Sequence, residues 1–408
     1  MLWLVSFTWR TVDNIIFTPF KINHLTINNR IVRAATYEGR ADFTQVPLPS
    51  MLGLYEELAK NEVGLIITGS NATTKTGRTS APRQASINSS EQILMWQKIT
   101  QRVHLYPSKI FMQISHAGRQ TLKKVTKSKV FAPSKIPSPL FRQTPIVLNK
   151  SEIKNIVLEY ANAAFNAKEA GFDGVQIHAA HGYLVHQFLS PHINKRTDQY
   201  GGSYVNRFRF LKEILSEVKN SCGTSFPVII KLSLGDDLGF SLEDTKENIK
   251  LLNECSTIDA IELSYGTMEQ PFNIIRGKTP WDFCYAFSPL FSSYPPIFKN
   301  FVFNIVKNKI KKSAISFSYN YNLNNAREIL NLSSKPILLT GGIRKVSDIK
   351  SILEEGFMAV TLSRPFIREP DLVKKIHYKL TDESKCINCN LCTIHGDSPK
   401  PVHCFIVA

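Results

Sequence analysis

The run His178-Ala-Ala-His181-Gly-Tyr183 places two imidazoles and a phenol within six residues. Two histidines three apart can ligate a metal ion, but no Asp or Glu nearby completes such a site. A second use suits the residue types better. Neutral imidazoles side by side can donate hydrogen bonds to one carbonyl oxygen as charge develops on it. Tyr183 then supplies a weak acid able to protonate a carbanion. Elsewhere polar residues interrupt or follow apolar runs: Gln113 and His116, Lys231, Gly341-Gly342, and Ser363-Arg364. Each has a plainer reading alone, since a buried lysine is usually salt-bridged and a Gly-Gly pair is usually a turn. Near the C-terminus Cys386, Cys389, Cys392 and Cys404 crowd together with the spacing of a metal site. Cys222, Cys255 and Cys284 are scattered and read as buried thiols.

Bringing these residues together requires elements that all end in one place. Short apolar runs recur at 31–35, 64–68, 110–115, 174–178, 228–233, 260–264, 336–340 and 359–363. Continuous apolar character suits parallel strands buried on both faces. Helical stripes fall between them. Ile153, Ile156, Val157, Tyr160, Ala161 and Ala164 draw one such stripe, with Asn149 and Glu152 as its capping box and Gly171 as its stop. Val346, Ile349, Ile352 and Leu353 repeat the pattern and end at Gly356. Eight such units predict an α/β fold, a closed (β/α)8 TIM barrel rather than an open doubly wound sheet. The barrel is expected over residues 1–380, with a Cys-rich tail over 381–408. A long insertion over 271–332 precedes the seventh strand and is expected either as a lid or as helices on the barrel flank. Barrel active sites form at the carboxyl ends of the strands, where the polar residues named above lie. Glycines and free amides after strands seven and eight make a phosphate cradle.

The chain has 408 residues, 43% hydrophobic and 20% charged, which are globular values. Its 50 basic and 33 acidic residues give +17, which favours anionic partners. A soluble basic enzyme acting on a small molecule is the preferred reading, ahead of a nucleic-acid binder. No apolar run is long enough to span a membrane, and Leu2–Phe7 is too short for a signal core. A cytoplasmic location is therefore expected, and association into a homo-oligomer stays open.

The longer run from His178 through Gln187-Phe-Leu-Ser-Pro191, Asn194, Arg196-Thr-Asp198, Tyr200-Gly-Gly-Ser203 and Asn206-Arg207 closely resembles the Old Yellow Enzyme family. Asn29-Arg-Ile-Val32, Gln113-Ile-Ser-His-Ala-Gly-Arg119-Gln120, Thr340-Gly-Gly-Ile-Arg344 and Ser363-Arg-Pro365 resemble its bacterial-type NADH:flavin oxidoreductase branch. The resemblance implies FMN as cofactor and NAD(P)H as reductant. It further implies that His178 and His181 hold the substrate carbonyl and that Tyr183 delivers the proton. Gln113 would bond the polar edge of the flavin, and Lys231 would sit by its N1–C2 edge. Gly342, Ser363 and Arg364 would hold the phosphate, while Ala34, Ala35 and Ser70 would line the ring. Tyr37 stands where many relatives carry Thr or Cys, and Ser363 replaces a commoner Gly. The implied reaction is reduction of an activated alkene (enone, enal or nitroalkene), with quinones as related acceptors.

The cysteine tail resembles the iron–sulfur segment of 2,4-dienoyl-CoA reductases, with the second gap one residue shorter. A [4Fe–4S] cluster, a structural zinc and metal-free thiols all remain open there. Two rival functions share parts of this pattern. A tRNA dihydrouridine synthase is favoured by +17 but lacks that family's loop cysteine and RNA-binding domain here. A catalytically silent flavin-binding scaffold is disfavoured by the intact histidine–tyrosine set.

Overall fold

Seven of the eight apolar runs become strands of three to six residues and one a strand of seven, all parallel. They are β1 (Ile31–Arg33), β2 (Leu65–Ile67), β3 (Lys109–Ser115), β4 (Gly174–Ala179), β5 (Val228–Ser233), β6 (Ala260–Ser264), β7 (Ile337–Thr340) and β8 (Ala359–Leu362). Each pairs with its neighbours in chain order. β8 pairs with β1 (Thr361 opposite Val32), and β2 with β3 (Ile66 opposite Ile110), so the ring closes. A closed parallel barrel leaves no free edge and buries both faces of each strand, which is why these runs are apolar almost throughout. The computed structural model describes residues 15–287, 295–394 and 400–406. Leu2–Phe7 lies outside the described residues.

The amino end of the barrel is plugged. A hairpin of Phe20–Ile22 and Leu25–Ile27 buries Phe20, Ile22 and Ile27 against Val32, Leu65, Phe111, Ile229, Ala260, Leu338 and Ala359. Apolar packing at that end leaves the carboxyl end for polar groups.

Helices α1 (Pro49–Lys60), α2 (Ser90–Val103), α3 (Lys150–Glu169), α4 (Tyr204–Cys222), α5 (Leu242–Asn253), α6 (Leu323–Leu332) and α7 (Val346–Glu354) carry the chain between strands. α3 starts at the expected capping box: Glu152 N–H donates to Asn149 Oδ1 at 2.9 Å, and Asn149 N–H to Glu152 Oε2 at 2.8 Å. It ends at Gly171, whose φ of +81° a side chain would oppose.

Between β6 and β7 the chain departs from the repeat. The last ten residues of 271–332 are α6 itself, buried through Ala326 and Ile329, so the excursion narrows to 271–322. It contains helices Trp281–Phe287 and Pro296–Ser313. Cys284 and Phe303 pack with Ile394 of the tail, and Lys278 N–H donates to Asn388 O at 3.0 Å. The excursion therefore rides on the cysteine tail. Among the described residues no helix is long and apolar enough to cross a membrane.

Candidate active site

β4 delivers His178 from its inward face and then turns sharply. His181 adopts φ +61°, a region unfavourable for a residue with a Cβ, and Gly182 follows at +78°. The strained turn is held from three sides. Ser233 Oγ accepts the His181 N–H at 3.2 Å, Met268 N–H donates to His181 O at 2.9 Å, and Ser264 Oγ meets His181 Nε2 at 2.8 Å. The result brings the three expected side chains together. The His178 ring stands 5.1 Å from that of His181, nearly perpendicular, and 4.8 Å from that of Tyr183.

Electrostatics keep both imidazoles neutral. Burial, then the neighbouring His181 and Lys231, hold His178 well below the ordinary imidazole value. Burial, then Lys231, does the same for His181. Burial pushes the Tyr183 phenol up to about 12, so it keeps its proton at neutral pH. Two neutral donors beside a protonated phenol can stabilise a developing oxyanion and then supply a proton.

A second polar set runs across the barrel mouth below them. Gln113 Nε2 donates to Gln176 Oε1 at 2.7 Å, and Gln176 Nε2 donates to Glu262 Oε2 at 2.7 Å. Glu262, fully buried, also accepts from Thr361 Oγ1 at 2.7 Å and pairs with Lys231 Nζ at 3.0 Å. Strand register makes this set: Lys231 lies opposite His178 on one side and Glu262 on the other. Lys231 is thus an ion-paired lysine whose charge lies next to the histidines.

The remaining expected residues fall around the same mouth. Ala34 and Ala35 follow β1, and Ser70 follows β2 with its Oγ buried and, among the described residues, without a hydrogen-bond partner. Gly342, at φ +76°, ends the turn after β7. The Ser363 hydroxyl is hydrogen-bonded to Thr36 Oγ1 at 2.8 Å, so a phosphate there would be left to backbone amides and Arg364. Small side chains, an orphaned hydroxyl, a glycine turn and a buried arginine without a carboxylate partner fit a flavin mononucleotide. Tyr37, in contrast, directs its hydroxyl to the backbone N–H of Arg83 at 3.0 Å.

Cys386, Cys389, Cys392 and Cys404 line one cleft together with Arg364 and Asn390. Arg368 Nη1 approaches Cys404 Sγ at 3.8 Å, and burial pushes the Cys392 thiol up to about 11. Among the described residues no three His, Cys, Asp or Glu side chains stand close enough to hold an ion. The four cysteines thus share one cleft.

Sequence reasoning missed Glu262, Ser264 and Gln176. Their signal was present: Glu262 and Ser264 alternate on one face of an otherwise apolar strand. A carboxylate in such a strand calls for a buried cation, and Lys231 is the partner.

A family model described as the NADH:flavin oxidoreductase / NADH oxidase family matches residues 15–285. The chain is 28% identical over 386 residues to a 4,4'-dithiodibutanoate disulfide reductase of Rhodococcus erythropolis, covering 92% of each. It is 38% identical over 260 residues to an NADPH dehydrogenase of Bacillus subtilis, covering 62% of this chain and 74% of that one. Among solved structures, the old yellow enzyme homologue from Zymomonas mobilis superposes with a TM-score of 0.73 at 26% identity, covering 92% and 95%.

Proposed function

The chain belongs to the NADH:flavin oxidoreductase / NADH oxidase family, and we propose that it passes reducing equivalents from NAD(P)H through FMN to activated alkenes or related acceptors such as quinones. The observation that carries this reading is the trio at the end of β4: two imidazoles held neutral, packed against a phenol held protonated. FMN, when bound, supplies the hydride chemistry.

The chain's residues do the rest. Gln113 and Lys231 face the polar edge of the ring, where a positive charge favours the reduced form. Ala34, Ala35 and Ser70 line the ring, and Gly342, Ser363 and Arg364 hold the phosphate. His178 and His181 donate to the acceptor's carbonyl oxygen, drawing electron density from the alkene as a hydride reaches its β-carbon. Tyr183 gives its proton to the α-carbon and recovers one from water. The alkene thereby gains one hydride and one proton. The Rhodococcus relative is named for a disulfide carrying carboxylates, so such a disulfide joins enones, enals and quinones in the acceptor panel. The tail cysteines take no part in this scheme.

Purified protein should release FMN rather than FAD on denaturation. Tyr183→Phe should leave reduction of the flavin by NAD(P)H within about threefold while slowing alkene reduction by ~10²-fold, because only the second half needs an acid. Equal losses in both halves would make Tyr183 a flavin-positioning residue. Folded but colourless protein would overturn the whole reading.

A further inference from the structure

Three arginines converge where the excursion meets the ends of β7 and β8. Arg276, Arg344 and Arg364 are only 9%, 6% and 7% exposed, and among the described residues none of them reaches a carboxylate. Arg364 donates to the Arg276 carbonyl oxygen at 3.0 Å and to Asn390 Oδ1. Arg344 donates to Ile343 O at 2.7 Å and Asn388 Oδ1 at 2.6 Å. Arg276 donates through Nε to Asn273 O at 3.2 Å. Its two terminal nitrogens have no acceptor among the described residues. A guanidinium cannot shed its proton to relieve burial, and although Arg344 also lies against the Cys386 thiol, three of them without a carboxylate among the described residues call for an anion from outside the chain.

The surroundings of Arg276 narrow the choice. Its guanidinium carbon lies 4.2 Å from the ring centroid of Tyr321 and 5.4 Å from that of Tyr265. Two aromatic faces fix a cation in place without neutralising it. Tyr265 directly follows β6. The Tyr321 ring edge lies at the Gly341–Gly342 turn, 2.8 and 2.7 Å from where Cβ atoms on those glycines would stand. Arg276 is thus one ring away from the turn after β7, on the face where the strands end. A turn of glycines at positive φ leaves backbone N–H groups free to gather around a tetrahedral anion. The guanidinium fork suits phosphate oxygens, and several cations suit a dianion better than a single carboxylate.

We infer that Arg276, contributed by the excursion, is a phosphate-recognising residue at the carboxyl ends of β6 and β7. This rests on the reading that a flavin nucleotide binds there. The phosphate has two sources, the monoester of FMN and the pyrophosphate of the nicotinamide dinucleotide, and the chemistry at Arg276 is shared between them.

The test compares ligands that differ only by phosphate, on flavin-stripped protein, in wild type, Arg276→Gln and Arg276→Lys. Gln keeps a stem between the two rings, and Lys keeps the charge. Dissociation constants for FMN and riboflavin are read from flavin fluorescence. If the FMN phosphate is the ligand, Arg276→Gln weakens FMN about tenfold while riboflavin changes less than about twofold, and Arg276→Lys recovers part of the loss. If the dinucleotide is the ligand, FMN is unaffected. Reduction of the reloaded enzyme by NADH then slows about tenfold, while reduction by a phosphate-free N-benzyl dihydronicotinamide does not. Equal effects on phosphate-bearing and phosphate-free ligands, or no effect on any, would overturn the assignment and leave Arg276 a packing residue. Wild-type protein binding neither flavin would overturn the flavin reading itself, a separate result.

Discussion

His178 and His181 belong to one turn, yet their neighbours give them opposite tautomers. His178 Nδ1 accepts the Ala180 N–H at 3.3 Å, which places its proton on Nε2. The only described partner of Ser264 Oγ is His181 Nε2, at 2.8 Å, and a buried hydroxyl needs an acceptor. Ser264 therefore donates, and the His181 proton sits on Nδ1. One hydroxyl decides which nitrogen faces the substrate. Ser264→Ala releases that choice, and a neutral hydrogen bond is worth about 1 kcal/mol, or roughly fivefold in rate. Alkene reduction in stopped flow should slow by about that factor while the NAD(P)H half-reaction stays nearly unchanged. Loss confined to the NAD(P)H half would refute the tautomer argument. Glu262 plays the corresponding part for Lys231. Glu262→Gln keeps the shape but leaves a buried ammonium unpaired, so two effects should appear together. Stability falls by about 3 kcal/mol. The flavin reduction potential rises, because an uncompensated cation favours the reduced, more negative ring. A lower potential in spectroelectrochemical titration would show that Lys231 does not face the flavin. In the sequence Glu262 and Ser264 show only as polar residues alternating in an apolar strand, not as partners of Lys231 and His181. Their meaning lies in the register that sets Lys231 opposite Glu262, and register joins residues 31 apart in the chain.

At the scale of elements, legibility followed the strength of the local pattern. β5 and β6 were read to the residue, and β4 to within one, because apolar runs bounded by turn residues admit one assignment. α3 was legible from cap to stop, since the Asn149–Glu152 box and Gly171 are local chemistry. The 271–332 region was not. Its aromatic content masked α6, although Leu323, Ala326, Ile329 and Leu330 draw an apolar stripe against the barrel. The tail showed its cysteine spacing but not its geometry, because ligand convergence depends on loop conformation. Asn388 and Asn390 on either side of Cys389 both adopt positive φ, which no spacing rule announces. The arrangement makes a prediction for metal-free protein. Cys386, Cys389 and Cys404 are partly exposed, whereas Cys222, Cys255, Cys284 and Cys392 are buried. Cys392, held at about 11, has little thiolate at pH 8. Three thiols per chain should react quickly with a disulfide reagent, and Cys392→Ser should leave that fast count unchanged. Fewer fast thiols, accompanied by about four irons or one zinc per chain, would show that the tail closes around a metal.

The whole molecule carries +17, so acid adds charge to a chain that already repels itself. Beneath that general effect lies a specific one, built from three imidazoles buried in neutral form. Burial holds His116 down to about 3, and it leads the causes that hold His178 and His181 well below their ordinary value. The unfolded chain binds protons at these histidines near pH 6.5, whereas the folded chain does not until far lower. Stability therefore rises with pH wherever the unfolded state holds more protons. The contribution is present in full above about pH 6.5 and is lost as pH falls from there towards about 3. For each histidine the limiting slope is about 1.4 kcal/mol per pH unit, and near its upper end about 1 kcal/mol goes between pH 6.5 and 5.5. Three together lose about 3 kcal/mol over that unit. Carboxylates whose values are lowered by pairing, such as Asp198 beside Arg196, lose their share only at lower pH, while Glu159 and Glu269, raised by burial, act in the opposite direction to the imidazoles. Urea midpoints of protein saturated with FMN should be flat from pH 8 to 7.5 and fall steeply between 6.5 and 5.5. His116 accepts the Gly118 N–H at 3.0 Å through Nδ1, and among the described residues its side chain shares no hydrogen bond with the trio. His116→Gln should lower stability at every pH but reduce the slope by about a third. A midpoint unchanged between pH 7.5 and 5.5 would mean that the imidazoles are not held neutral. That outcome would remove the basis for treating His178 and His181 as uncharged donors to the substrate oxygen.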